Sequence, residues 1–452
     1  MKKILPANKA LQKIADQAKE FAVIQNPGGI WPPVEYVPLA DKQEGPLAHL
    51  NAVVSDMDGT TTTTEGLCIH SLEYMVRQIT GRLNPSQWSG LDPAADYPHI
   101  IGNSTTRHVE YLIETYRKAI VPDVLKQSFL KAALWFLMKG QDEQRKREVR
   151  QNLIALNCQP LLDFAGNLEK EDPETNKIWN RGNKEENDLL KACFKGGKSF
   201  SDAQTVKMAV DIYYQRYHEI LDAIDRHETV PALDSSKPLI EPMPGIGIYL
   251  ALIKGLLGDE IEKLVPELKK GYEEKSGIFW KEGKDMMPGL IQVSRYFEKN
   301  PAKIAIVTSS IFYEARIVMT RVFEMLKRDT ETWPLSEARK SRVEKSFSAY
   351  ENVYDAFVTA SDSNEIRLKP HRDLYSIALY QLGIPKEDYD TVIGFEDSES
   401  GTLAIRAAGI GLCCAVPFHE TSGHDLSAAS HILQGGIPEA ILKYHSFLKT
   451  GA

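Results

Sequence analysis

The sequence has no run of eighteen apolar residues, which excludes a membrane-spanning helix, and its Met-Lys-Lys start leads into a polar helical pattern instead of an apolar signal core. It therefore reads as a cytoplasmic chain with no membrane partner. It also lacks a basic excess: 54 Lys and Arg stand against 62 Asp and Glu, giving a formal net charge of −8, and the cations are scattered among acids. That leaves no electrostatic stripe for nucleic acid. Cysteines are few. Cys68, Cys158, Cys193, Cys413 and Cys414 show neither metal-finger spacing nor an even disulfide framework, so reduced, mostly buried thiols are expected.

What is present is length and alternation. At 452 residues the chain exceeds the roughly 250 to 300 residues at which single cores stop growing, so two or more domains are expected. Asn8 to Phe21 has helical periodicity, with Leu11, Ile14, Ala15, Ala18 and Ala22 on one side. Pro27, Gly28, Gly29, Pro32, Pro33 and Pro38 then forbid regular structure between Gln25 and Glu44 and predict an extended strap across the body. From Thr61 to about Asp285 the pattern is helical, with candidate helices at Thr105 to Ile120, Val124 to Lys139 and Asp202 to Arg226. Glu169 to Asn187 is polar and reads as surface loop or frayed helix.

Apolar runs at Leu50 to Val54, Ile304 to Val307, Ala356 to Ala360, Thr391 to Phe395 and Ile410 to Val416 read as buried strands, separated by helical patterns such as Tyr313 to Leu326. This alternation predicts an α/β fold, a doubly wound parallel sheet carrying an inserted, mainly α-helical domain. The expected division is 1–48 for an N-terminal helix and arm, 49–64 for the first strand and its loop, 65–285 for the helical insertion and 286–452 for the remaining core. Met-Pro-Gly occurs twice, at Met243 to Gly245 and Met287 to Gly289. The later copy sets the expected boundary and the earlier is the alternative. The charged stretch Asp329 to Ser348 reads as an outer helical excursion.

Asn51 to Thr60 reads Asn-Ala-Val-Val-Ser-Asp-Met-Asp-Gly-Thr, a β-branched run ending in Asp56 and Asp58. Side chains alternate along a strand, so both acids converge on one ligand only where the chain turns, which Gly59 and Thr60 permit. Alone, the motif reads equally as a solvated turn. Thr308, Ser309 and Ser310 end the second run before a helix, which suits an anion and also a plain N-cap. Lys369, preceding Pro370, is held extended at a fixed place, and the fourth run ends in Glu396-Asp397-Ser398 before a helix opened by Ser400 and Gly401. Ligands of doubly wound sheets bind outside the carboxyl ends of the strands, so Asp56, Asp58, Thr308, Lys369, Glu396 and Asp397 can share one cleft. Four carboxylates packed together require a cation. Hard oxygen donors favour Mg²⁺, and a site balanced in this way suits a phosphate.

The set resembles the haloacid dehalogenase (HAD) superfamily, with its Asp-x-Asp-Gly-Thr start, Thr/Ser strand end, Lys-Pro and Glu-Asp-Ser-x-x-Gly. More narrowly, Pro288-Gly289, Val307-Thr308-Ser309-Ser310, Lys369-Pro370 with Asp373-Leu374-Tyr375, and Gly394-Phe395-Glu396-Asp397-Ser398 with Gly401 are similar to its beta-phosphoglucomutase-like phosphatase branch. The resemblance covers Leu50 to about Glu65 and Met286 to about Leu442. The insert matches only in position and is far longer than that family's usual cap.

The resemblance implies a Rossmann-like core and a Mg²⁺-dependent phosphatase acting on a small soluble phosphate monoester. Asp56 would be the nucleophile and form an aspartyl-phosphate, and Asp58 would be the general acid and base. Thr308 and Lys369 would hold phosphoryl oxygens, with Gly59 and Ser309 beside the phosphate. Mg²⁺ would be bound by Asp56, the backbone carbonyl of Asp58, Glu396 and Asp397. An acid at position 58 points away from the dehalogenase and phosphonate-cleaving members. It fits ester hydrolysis or, as the alternative, phosphoryl transfer of the phosphomutase kind. A non-catalytic binding module is the third reading, which the intact pair Asp56 and Asp58 disfavours. Arg107, within Gly102 to His108, resembles the substrate-reading arginine of related caps and reads equally as a solvent-facing residue of a capped helix start.

Overall fold

Six parallel strands organise the larger of two compact units in the computed structural model of the protein, which describes residues 4–26, 31–84, 86–100, 105–171, 183–194, 200–228, 239–281, 283, 286–363, 367–418, 421 and 423–450. This unit comprises 1–64 and 239–452, and the other comprises 65–238. In the first, strands β1 (Glu20–Gln25) and β2 (Val34–Leu39) form an antiparallel ribbon. Next come β3 (Ala52–Asp56), the two-residue ladder of β4 (Thr62–Thr63) with β5 (Glu241–Pro242), then β6 (Lys303–Val307), β7 (Ala356–Val358), β8 (Val392–Glu396), β9 (Leu412–Ala415) and β10 (His431–Ile432). The main sheet has the order β10-β9-β8-β3-β6-β7 and is parallel throughout.

A central strand covered on both faces has no solvated side, which explains why its residues are continuously apolar instead of alternating. All five residues of β3 and all five of β8 are buried. The register sets Asp56 beside Val307 and Ser55 beside Phe395. Thr308 and Glu396, each the next residue on a neighbouring strand, therefore flank the end of β3. The helices Phe312–Thr330, Asp373–Gln381 and Glu399–Ala407 supply the packing layers between strands.

The N-terminal arm departs from the expected strap. The helix there covers only Ala7–Ala15, and the chain that follows pairs as β1 and β2, with Pro38 opposite Phe21. A two-stranded ribbon leaves an open edge on each strand, so it tolerates a proline that a central strand would not. The ribbon does pack on the body. Ala22, Ile24 and Leu39 lie against Ala407, while buried Arg406 donates to the Ala40 carbonyl (3.0 and 2.6 Å) and pairs with Glu20 at 2.6 Å.

The return from the insertion also comes earlier than residue 286. Residues 239–285 belong with the sheet, and the helix Ile246–Ile253, which opens directly after the first Met-Pro-Gly, has all eight residues buried. A segment apolar all round must sit inside a core, and this one is buried within the unit that holds the sheet. The β4–β5 ladder joins outgoing and returning chains, and the Met243 N–H bonds the Thr61 carbonyl at 3.0 Å.

The second unit is helical. It includes Glu65–Thr80, Thr105–Tyr116, Pro122–Lys139, Glu143–Ala155, Gln159–Glu171, Asn183–Cys193 and the long Asp202–Asp225, which starts with a capping box between Ser201 and Gln204. Of the polar stretch Glu169 to Asn187, residues 172–182 lie outside the described residues. At its centre the carboxylate of buried Asp211 accepts from Arg145 at 3.1 Å and Asn152 at 3.0 Å. Burial pushes the Asp211 carboxyl up to about 6, with Arg145 and Asn152 opposing. Arg145→Met leaves that charge buried without its cation, and unfolding by urea is expected to show a loss of about 3–5 kcal/mol. Because the folded carboxyl holds its proton more tightly than the unfolded one, the deficit shrinks as pH falls toward the ordinary carboxylate range.

Candidate active site

The end of β3 is shaped by its turn. Met57 is buried, and its carbonyl accepts from the N–H groups of Thr61 (3.0 Å) and Thr62 (2.9 Å), folding the chain back over Asp58 to Thr60. Thr61 donates its hydroxyl to the Asp56 carbonyl at 2.7 Å. Gly59 sits at φ +80°, and a Cβ there would lie 2.4 Å from Asp397 Oδ2. Its N–H bonds the Thr62 carbonyl at 2.8 Å, so it contributes space for Asp397 and not a donor for phosphate. Gly59→Ala therefore both strains the backbone and displaces a carboxylate. Thermal unfolding of this variant is expected to show a loss of about 1–3 kcal/mol.

Two groups of side chains gather at this turn. In the first, the Lys369 ammonium donates to Asp56 Oδ1 and to Glu396 Oε1, the latter at 2.7 Å, with all three side chains at most 7% exposed. The ammonium also lies 5.4 Å from the centre of the Tyr375 ring, whose hydroxyl is 3.5 Å from Glu396 Oε1. Glu396 is held from its other side by the Ser398 N–H (2.8 Å) and hydroxyl (2.9 Å). Gly401 makes this fit possible, since a Cβ there would overlap the Glu396 carboxylate. Asp397 accepts from the Thr60 hydroxyl at 3.4 Å. In the second group, one oxygen of Asp58 accepts from Thr64, and the other from Thr308 (3.2 Å) and Ser310 (3.4 Å).

Burial and charge then act differently on each acid. Burial pushes the Asp56 carboxyl well up; Lys369 opposes this, while Glu396 and Asp58 add to it. Burial likewise raises Asp58 against the hydroxyls of Thr64 and Thr308. Burial also opposes ionisation of Glu396, yet Lys369 and Ser398 hold it below the ordinary carboxylate range. For Lys369, burial favours the neutral amine, but Asp56 and Glu396 outweigh it and keep the ammonium charged. Oxygens of Asp56, Glu396 and Asp397 all lie within 4.8 Å of one another. Three buried carboxylates with one ammonium leave excess negative charge in a site of hard oxygen donors. That composition fits a divalent cation such as Mg²⁺.

The structure thus brings Asp56, Lys369, Glu396 and Asp397 together, and sets Asp58 with Thr308 beside them. Asp58 directs its carboxylate to hydroxyls and not into the acidic cluster. The Ser309 side chain is exposed, and its neighbour Ser310 makes the contact with Asp58. Arg107 lies in the other unit, exposed on the helix Thr105–Tyr116, and residues 101–104 before it lie outside the described residues. The sequence does not single out Thr64, and it places Ser310, Ser398 and Tyr375 within motifs without giving them these partners. Ser310 and Ser398 lie within quoted motifs, whereas the run of five threonines from Thr60 to Thr64 carries no signal for which hydroxyl turns inward.

No protein-family profile and no curated protein matches the sequence. Solved structures do. The chain is similar to CbbY from Rhodobacter sphaeroides in complex with phosphate, at 12% identity over 86% of this chain and 96% of that one, with a TM-score of 0.36. It is similar to a HAD family hydrolase from Deinococcus radiodurans with bound phosphate and sodium, at 14% identity over 90% and 100%, TM-score 0.38. It is also similar to a haloacid dehalogenase-like hydrolase from Streptococcus pneumoniae, at 12% identity over 88% and 100%, TM-score 0.35. The structural neighbours are HAD-family hydrolases and beta-phosphoglucomutase-like proteins, at identities and TM-scores low enough that the chemistry rests on this chain's own residues.

Proposed function

We propose that the protein is a Mg²⁺-dependent phosphatase that hydrolyses a small soluble phosphate monoester through an aspartyl-phosphate on Asp56. The observation that carries this reading is the pairing of Asp56 with the buried Lys369 ammonium at a strand end, two residues before an acid held by three hydroxyls. Asp56 attacks phosphorus, the bond from phosphorus to the leaving oxygen breaks, and Asp58 gives that oxygen its proton. Burial favours the protonated form of Asp58, as this step needs. Asp58 then takes a proton from water, the water oxygen attacks phosphorus, and the bond to Asp56 breaks to release inorganic phosphate. Lys369 and Thr308 hold phosphoryl oxygens, and Lys369 offsets the charge of the nucleophile. Asp56, Glu396 and Asp397 would hold Mg²⁺, which supplies neutralisation of the negative charge on the transferring group.

A panel of sugar phosphates, nucleotides, phosphorylated acids and an aryl phosphate, assayed for phosphate release with and without Mg²⁺, tests the proposal. Release is expected with Mg²⁺, falling by about a hundredfold or more when a chelator removes it and returning on resupply. Release that is indifferent to chelator, or absent across the panel, would count against the reading. The same panel with a sugar bisphosphate added separates hydrolysis from phosphomutase chemistry, which returns the phosphoryl group to a sugar.

A further inference from the structure

Both acids on the inner face of the N-terminal ribbon meet an arginine of the body. Across the ribbon Glu20 stands opposite Leu39, Ala22 opposite Val37 and Ile24 opposite Glu35. Directly opposed residues share a face, and Ala22, Ile24 and Leu39 pack against Ala407, so Glu20 and Glu35 close the two ends of an apolar stripe turned toward the body. Glu20 pairs with Arg406 near the end of the helix Glu399–Ala407. Glu35 accepts from Arg367 at 2.6 Å, and Arg367 stands two residues before Lys369. The other Glu35 oxygen accepts from Asn26 at 2.8 Å, and Asn26 also donates to the Pro32 carbonyl at 2.8 Å. Asn26 foremost, then Arg367 and His371, hold the Glu35 carboxyl below the ordinary carboxylate range against its burial. One carboxylate thus addresses residues on both sides of Lys369.

Lys369 needs such an anchor. Between the turn Ala360–Asp362 and the helix Asp373–Gln381 no strand occurs among the described residues, so no ladder fixes the backbone that carries it. Its ammonium nevertheless has to meet Asp56 and Glu396 at once. Leu368 packs against the main core, and the pair of Arg367 with Glu35 ties down the chain just before it. Given the proposed role of Lys369 as a donor to phosphoryl oxygens, on which this rests, the geometry points to Glu35 as a positioning residue that fixes the loop of Lys369. The side chains of the pair are 39% and 23% exposed, for Arg367 and Glu35 respectively. An ion pair so open to water adds little to fold stability, so what it contributes is the place of the lysine. Two residues span about 7 Å at most, so a shift of Arg367 is passed on to Lys369. A displacement of about 1 Å is enough to lower turnover about a hundredfold.

Glu35→Ala in the full chain tests this by two readouts. Under brief treatment with acetic anhydride, followed by peptide mass spectrometry, the buried and charged Lys369 amine of the parent protein should be acylated slowly. In the variant it should react about tenfold faster or more, with the other lysines unchanged. The kcat for an aryl phosphate should fall about tenfold or more while the melting temperature stays near that of the parent. Adding Glu35→Ala to Arg367→Ala should move neither readout further, because Glu35 acts through that arginine. Glu20→Gln, which loosens the other end of the ribbon, should leave both near the parent values. Unchanged acylation of Lys369, or unchanged kcat in a parent that turns over, would overturn the inference. Additive losses in the double variant, or an equal loss in Glu20→Gln, would overturn it in favour of general docking of the ribbon. A parent that releases no phosphate from any ester, with Lys369 still unmasked by Glu35→Ala, would overturn the proposed function and uphold the placement of the lysine by Glu35.

Discussion

Replacing Asp56 by Asn is expected to abolish turnover of an aryl phosphate, by about 10⁴-fold or more, in a protein that remains folded. The amide keeps the size of the side chain but offers no carboxylate oxygen to attack phosphorus, so the path through a covalent intermediate closes. Stability should hardly suffer. Burial already pushes the Asp56 carboxyl up, with the charges of Glu396 and Asp58 adding to the repulsion, and the substitution removes that penalty while leaving Lys369 paired with Glu396. Steady-state kinetics beside circular dichroism and thermal unfolding checks both halves of the expectation. Retained turnover in a folded variant would assign the nucleophile elsewhere.

Lys369→Met has the opposite balance, harming the fold as well as the chemistry. It removes the one ammonium shared by Asp56 and Glu396, leaving two buried carboxylates facing each other. Breaking a buried ion pair from one side costs about 3–5 kcal/mol, and loss of the proposed donor to phosphoryl oxygens is expected to lower kcat about a hundredfold or more. The pH dependence gives the sign. Without the lysine both folded carboxyls prefer their protons, so the variant's deficit against the parent protein is smallest below the ordinary carboxylate range and grows as pH rises. Denaturant unfolding at several pH values, with and without Mg²⁺, follows this directly, and added Mg²⁺ should return part of the lost stability.

Much of this site was legible because each part lies at the end of an apolar run. Thr308 and Glu396 directly follow apolar stretches and Asp56 follows one after Ser55, and a parallel sheet brings such ends to one edge. The orientation of individual hydroxyls was not legible. Thr64 and Ser310 face Asp58 only because the turn after Gly59 and the start of the helix Phe312–Thr330 aim them there, which spacing does not encode. The arm misled for a different reason. Its prolines do break helices and central strands, but two strands need only each other, and Pro38 fits a ribbon with open edges. The boundary of the insertion turned on two equal Met-Pro-Gly copies. The discriminating signal was present, since only the first is followed by an uninterrupted apolar segment, Ile246–Ile253, that must be buried.

The central claim is that Asp56 carries the phosphoryl group, and Asp58→Asn offers the most direct measurement of it. An aryl leaving group departs without a proton donor, whereas hydrolysis of the aspartyl-phosphate still needs Asp58 to activate water. Mixed rapidly with an aryl phosphate and Mg²⁺, this variant should release a burst of phenol matching the enzyme concentration. Its acid-quenched peptide containing Asp56 should then carry one phosphoryl group. Continued turnover with no burst and an unmodified Asp56, or a phosphoryl group on another residue, would contradict the account.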